Sequence, residues 1–203
     1  MWKHAAIAIK FTIVTTIILG LLYPLAITGL AQAIFPKQAN GSIIERGGKI
    51  VGSKLIGQTF SRPEYFHARL SAAFDPNPPK DKNAPQDTYV SSGSNLAPTS
   101  KTLVDRVKND VDKLSKENPG LKAGNVPADM VTTSASGFDP DITPANAYAQ
   151  VARVAKARGA SEEAVRKLVT VNITGRQLGI LGEPRVNVLK LNLALDEKLT
   201  KAK

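Results

Sequence analysis

Side chains able to carry chemistry are sparse along the 203 residues. There is no cysteine, which removes a thiol nucleophile, a thiolate zinc site, an iron–sulfur cluster and a disulfide scaffold together. Two histidines remain, His4 and His67, too few for a multi-histidine metal centre. His67 lies in Tyr65-Phe66-His67-Ala68-Arg69. An imidazole there could move protons, and Asp139 or Asp141, on either side of Pro140, could serve with it as an acid/base group or form a cation site. The run Asp-Pro-Asp-Ile-Thr-Pro equally describes a turn entering a helix, and a histidine beside aromatics equally describes a packed, hydrogen-bonded residue. The favoured expectation is that the chain has no catalytic residue and no metal site of its own.

One segment nearly matches a phosphate-binding loop: Gly52-Ser53-Lys54-Leu55-Ile56-Gly57-Gln58-Thr59 has its glycines and threonine at the right spacing. Such a loop needs a lysine ammonium against the terminal phosphates, where Gln58 stands, and a strand–loop–helix setting. The expected setting is a hairpin, with Gln58 an ordinary hairpin residue, so no nucleotide cofactor is assigned to this chain.

The element that dominates the position of everything else is at the N-terminus. Phe11 to Pro36 contains no Asp, Glu, Lys, Arg or His, whereas Lys3, Lys10 and Lys37 flank it. A hydrocarbon core about 30 Å thick is crossed by about 20 apolar helical residues, so residues 11–36 are expected to form one transmembrane helix. Ala31-Gln32-Ala33 also has the form of a signal-peptide cleavage site, but the apolar run exceeds the roughly 7–15 residues of a signal core. A secreted basic binding protein, freed after Ala33, is the reading that cleavage would imply. With the anchor retained, the basic tail 1–10 is expected in the cytoplasm and residues 37–203 outside it. A span without ionisable groups supplies no proton relay or ion ligand, so it transports nothing alone. Thr12, Thr16, Gly20 and Thr28 recur at helical spacing and form a small-residue row suited to packing against another helix.

Residues 37–203 hold 25 of the 27 basic residues and all 17 acidic ones, an excess of 8. The cations are scattered and no nucleic-acid motif accompanies them, so no nucleic-acid partner is expected; lipid headgroups or a solvated surface account for the charge. The hydropathy pattern predicts a hairpin over Ser42–Glu45 and Lys49–Ile56, turning at Arg46-Gly47-Gly48. Prolines from Phe74 to Pro98 predict an irregular excursion. Leu103, Val107, Val111 and Leu114 mark an amphipathic helix started by Thr99-Ser100 and stopped by Asn118-Pro119-Gly120. Thr143-Pro144 opens a second helix with Tyr148, Val151 and Ala155 on one face and Gly159 as its stop. Ser161-Glu162-Glu163 opens a third, burying Val165, Leu168 and Val169. Val186–Leu199 fits both strand and helix periods, and Asn187 as an N-cap favours helix. The fold class is α+β: one N-terminal transmembrane helix followed by a single mixed α+β extracytoplasmic domain.

Several stretches taken in order resemble one family. These are Tyr23-Pro24-Leu25, Phe35-Pro36, Gln38-Ala39-Asn40-Gly41-Ser42, Gly52 to Gln58, Tyr65-Phe66-His67, Gly93-Ser94-Asn95-Leu96, Ser134-Ala135-Ser136-Gly137, Arg153 to Arg158 and Gly182 to Asn187. Together they resemble KdpC, the small subunit family of a bacterial potassium-transporting P-type ATPase, with Ala68, Leu70 and Ser92 as departures. The resemblance implies an accessory inner-membrane subunit working with a channel-like KdpA, an ATP-hydrolysing KdpB and a small KdpF. It implies ATP and potassium for the complex, and a catalytic-chaperone effect that raises the ATP affinity of the ATPase subunit. An outside domain would exert that effect only indirectly. Tyr65, Phe66, His67, Arg69, Gly93, Ser94 and Asn95 become candidates for the soluble interface, and the threonine–glycine row for the membrane one. A periplasmic enzyme using His67 is the competing expectation from a different functional class.

Overall fold

The computed structural model describes residues 2–71 and 91–199, in two compact units, Met1–Ser53 and Lys54–Lys203. Most of the irregular excursion expected over Phe74–Pro98 therefore lies outside the described residues.

The first unit is a continuous apolar helix, Trp2–Ile34, followed by a short helix and a hairpin. It begins nine residues before the expected span and ends at Ile34, because Phe35 leaves helical geometry ahead of Pro36. Within it, α1 (Trp2–Thr15) and α2 (Tyr23–Ile34) are joined by wider π-helical turns over Thr16–Leu22, with the Tyr23 amide donating to the Ile18 carbonyl five residues back. Pro24 accounts for the widening: it has no N–H, and its ring crowds the carbonyl four residues earlier, that of Gly20. Thr15 satisfies its hydroxyl internally, donating to the Phe11 and Thr12 carbonyls at 2.8 and 3.1 Å. After α3 (Pro36–Ala39), β1 (Ile43–Arg46) and β2 (Lys49–Ser53) pair antiparallel with an irregularity at Ile44/Glu45. The turn uses φ of 58° at Gly47 and 74° at Gly48, which two glycines accept without strain. The second strand ends at Ser53, short of the expected Ile56, so Gln58 lies beyond the hairpin.

Among its described residues the second unit is built on four helices, α4 (Lys101–Glu117), α6 (Pro144–Arg158), α7 (Glu162–Val171) and α8 (Val188–Lys198), with the single turn α5 (Ala128–Val131) between the first two. Two- and three-residue strands β3 (Asp141–Ile142), β4 (Ile173–Thr174) and β5 (Arg185–Asn187) form an antiparallel sheet in the order β3-β5-β4. Their brevity leaves no alternation to detect in sequence. The helix starts follow the capping rules, with Thr143, Ser161 and Asn187 accepting from the Asn146, Ala164 and Lys190 amides. Val186–Leu199 resolves into both alternatives at once: the strand ends at Asn187, whose side chain then caps α8.

The core joins Val151, Val154 and Ala155 of α6 to Val165, Leu168 and Val169 of α7 and Leu191 and Leu195 of α8, around Phe66 and Ile142. The amphipathic helix expected here is α4, stopped at Asn118, and it has no fully buried residue. Leu103, Val107, Val111 and Leu114 are only half-buried, and three i,i+4 ion pairs reinforce the helix (Lys101–Asp105, Arg106–Asp110, Lys113–Glu117).

Candidate functional site

The residues around His67 meet on a segment, Pro63–His67, that belongs to no sheet. It opens as a turn in which the Tyr65 amide donates to the Arg62 carbonyl, and the backbone groups that follow have no neighbouring strand, so burying them unpaired would be costly. Side chains supply the partners. Asn192 of α8 accepts from the Phe66 amide at 2.8 Å and donates to the Phe66 carbonyl at 2.9 Å. Gln150 of α6 does the same for His67, at 2.8 and 3.1 Å. Two buried carboxamides thus act as a substitute strand, each presenting one donor and one acceptor to one residue.

Arg153 and Arg158, one and a half turns apart on α6, complete the clamp. Arg153 donates to the carbonyls of Pro63 (2.6 Å) and Tyr65 (3.0 Å), to Gln150 Oε1 (2.6 Å) and to Asn118 Oδ1 (3.0 Å). Arg158 donates to the Glu64 and Leu199 carbonyls and to Asp196 at 2.8 Å. Its guanidinium and that of Arg62 each lie 4.9 Å from the centre of the Tyr65 ring, whose hydroxyl donates to Asp196. Burial pushes the Arg153 guanidinium down to about 10, partly offset by the nearby Glu117 carboxylate.

His67 sits where this clamp meets a cavity of about 120 Å³, lined also by Leu70, Asp110, Lys113, Glu117, Met130 and Asn146. Its Nε2 is 3.2 Å from the Arg62 carbonyl and 3.4 Å from Arg153 Nη1. Burial, then the charge of Arg153, lower its pKa, so the imidazole is neutral near pH 7. Nε2 of His67 thus faces a carbonyl and a cation on the clamp side.

The aspartates offered as its partners are engaged elsewhere. Asp139 pairs with Arg69 at 2.8 Å and closes a turn by accepting from the Asp141 amide. Asp141 pairs with Arg185 at 3.1 Å and accepts from Asn187. Each carboxylate thus has its own arginine, which is the turn and helix-entry role. Gly57 also serves packing: its amide donates to the Phe138 carbonyl, and a Cβ there would fall 2.5 Å from the Asp139 carbonyl oxygen. The next helix among the described residues is α4, so a phosphate loop lacks its strand–loop–helix setting. Gly93 meets the same constraint, with a Cβ 2.9 Å from the Ala135 carbonyl.

Of the interface candidates, Phe66 is fully buried and belongs to the core, which corrects its assignment to a surface. Tyr65, His67 and Arg69 are half-buried in the contacts described; Ser94 and Asn95 are exposed and Gly93 half-buried. In the apolar helix, a Cβ on Gly20 would meet Thr16 Cγ2 at 3.7 Å, so these two do lie together. The π turns between Thr16 and Leu22 break the regular spacing that placed Thr28 on the same line. Sequence reading missed Asn118, Gln150 and Asn192. A buried carboxamide has no signature beyond a polar residue on an otherwise apolar helix face.

These features define a class: a membrane-anchored α+β protein in which one long apolar helix precedes a small domain whose polar core holds an irregular segment in place. The family model for "KdpC: K+-transporting ATPase, c chain" matches residues 5–197. The potassium-transporting ATPase KdpC subunit of Bradyrhizobium diazoefficiens is 58% identical over 204 residues, covering 99% of this chain and 100% of that protein. Those of Rhodopseudomonas palustris and Methylobacterium nodulans are 57% and 53% identical, each covering 97% of this chain and 98% of the relative. The chain belongs to the KdpC family.

Proposed function

We propose that the chain is a non-catalytic accessory subunit of an ATP-driven, high-affinity potassium uptake complex, anchored in the inner membrane with its N-terminus in the cytoplasm and its second unit outside. Its partners are the channel-like KdpA, the ATPase KdpB and the small KdpF. The domain packs over the outer face of the potassium-conducting subunit and stabilises the complex; potassium and ATP are handled by the partners. The observation that carries the reading is the span itself, which has no Asp, Glu, Lys, Arg or His between Phe11 and Pro36 in a family named for potassium transport. Ions need polar or charged ligands to cross a membrane, so the conducting path belongs to other chains. Any rise in the ATP affinity of the ATPase subunit then travels through the complex.

Gentle detergent extraction through a tag on this chain tests the proposal. Copurification of the channel-like and ATPase subunits is expected. Complex assembled without the chain is expected to show a raised KM for ATP. Recovery of the tagged chain alone from membranes that contain the other subunits would overturn the reading.

A further inference from the structure

The loop between β4 and β5 presents the opposite of the clamp. Leu178, Ile180 and Leu181 are 89%, 74% and 53% exposed at the tip of Gly175–Pro184, within four residues of one another in a loop closed by backbone hydrogen bonds. Gln177 and Leu181 exchange both of theirs, at 2.8 and 2.9 Å, and Ile180 donates to the Gln177 carbonyl. Leu178 holds φ at +53°, a left-handed conformation that leucine adopts rarely, ahead of Gly179 and Gly182, which take it freely. A strained, preorganised apolar tip has no role in the domain's own core, and preorganisation is what lowers the cost of docking.

The rim of the tip identifies its occupant. Arg176 is paired with both oxygens of Glu183 at 2.7 and 2.8 Å, and Arg185 with Asp141. The flanking charges are thus neutralised internally. A loop that inserts into anionic lipid keeps cations free for headgroups; a neutral polar rim around an apolar centre is the make-up of a protein interface. Three side chains are too small an area to hold any partner unaided, but the domain is tethered by its own chain, and in the complex proposed above the chains held beside it are the other subunits. The loop runs directly into β5, and at the other end of that strand Asn187 donates to the Lys54 carbonyl at 2.9 Å. Tethering raises the effective concentration of nearby membrane subunits and makes a small contact sufficient.

We propose that Leu178, Ile180 and Leu181 are the anchor of the extracytoplasmic domain on another subunit of the complex, inserted into an apolar pocket with an uncharged rim. This rests on the subunit reading above. Two measurements on the full chain, expressed with the whole complex, test it. With benzoylphenylalanine in place of Leu178, irradiation of membranes is expected to give one adduct with another subunit of the transporter. Adducts with a second copy of this chain, adducts with lipid alone, or none would overturn the proposal. In the second, Leu178→Asn suits the left-handed backbone and removes the apolar side chain, so unfolding of the detergent-solubilised chain should be unimpaired while copurified partner falls about tenfold, the cost of losing one buried leucine. Ile180→Ser, at an ordinary backbone position, is expected to act in the same direction. If the unmodified chain copurifies partners and both variants do so equally, the tip is not the contact and the subunit reading stands. If the unmodified chain copurifies none, the subunit reading itself fails.

Discussion

Pro63–His67 and Gly175–Pro184 are both irregular segments of the same domain, both carry residues of the family pattern, and they use their side chains in opposite ways. The first is surrounded by Arg153, Arg158, Gln150 and Asn192, whose polar atoms are spent on its backbone, while Phe66 fills the core. The second is held by its own backbone and turns leucines and an isoleucine outward. Polar groups that in sequence invite a catalytic reading are engaged in backbone hydrogen bonds and ion pairs, and the apolar residues that invite a core reading are the ones left accessible. The difference makes separable expectations: changes in the clamp should unfold the domain, and changes at the tip should leave it folded but unattached.

The largest effect is expected from Arg153→Met, which removes the donor to the Pro63 and Tyr65 carbonyls and to Asn118 and leaves Gln150 Oε1 with the His67 amide alone. A loss of about 3 kcal/mol or more follows from several unsatisfied buried groups, partly offset by relief of a buried cation, and denaturant unfolding of the detergent-solubilised chain measures it. Arg153→Lys should restore little, since one ammonium cannot serve this fan of acceptors. Asn192→Leu comes next, at about 2 kcal/mol for orphaning both backbone groups of Phe66. If it proved neutral, the carboxamide would not be acting as a substitute strand.

His67 sharpens the same side of the comparison through pH. Its folded pKa lies below the ordinary 6.5, so the unfolded chain binds the extra proton first and stability falls as pH drops below about 6.5. The imidazolium formed would stand 3.4 Å from Arg153. Thermal unfolding from pH 7.5 down to pH 5 should therefore show an acid-sensitive component that His67→Gln removes. The smallest change in stability, within about 1 kcal/mol and toward greater stability, is expected for Leu178→Asn, which relieves a left-handed leucine. A loss of folding comparable to that of the clamp variants would mean that the tip is part of the core's support.

Much of this fold is legible in the sequence where the signal is local. The uncharged run from Phe11, the glycine pair at Gly47-Gly48 and the caps Thr143, Ser161 and Asn187 each specify their element through neighbours within a few residues. The π turns ahead of Pro24 were not foreseen, because Pro24 reads as a helix interruption without saying how the chain accommodates it. The clamp is not legible at all, since Gln150 and Asn192 meet Phe66 and His67 across 83 and 126 residues. The tip was invisible for a related reason. Leu178, Ile180 and Leu181 read as ordinary apolar residues, and only their exposure sets them apart. Among the site candidates, His67 lies beside Arg153 and Arg69 pairs with Asp139, contacts that no local pattern specifies.

The central claim is that a single apolar helix carries this domain to the outside of the membrane, away from the nucleotide. The absence of cysteine makes it directly measurable. Lys167 is exposed on α7, and Lys167→Cys gives the chain one thiol. In cells with a permeabilised outer membrane and an intact inner one, a membrane-impermeant maleimide is predicted to label that thiol as fully as it does after complete lysis. Labelling confined to lysed cells would put the domain in the cytoplasm and contradict the account.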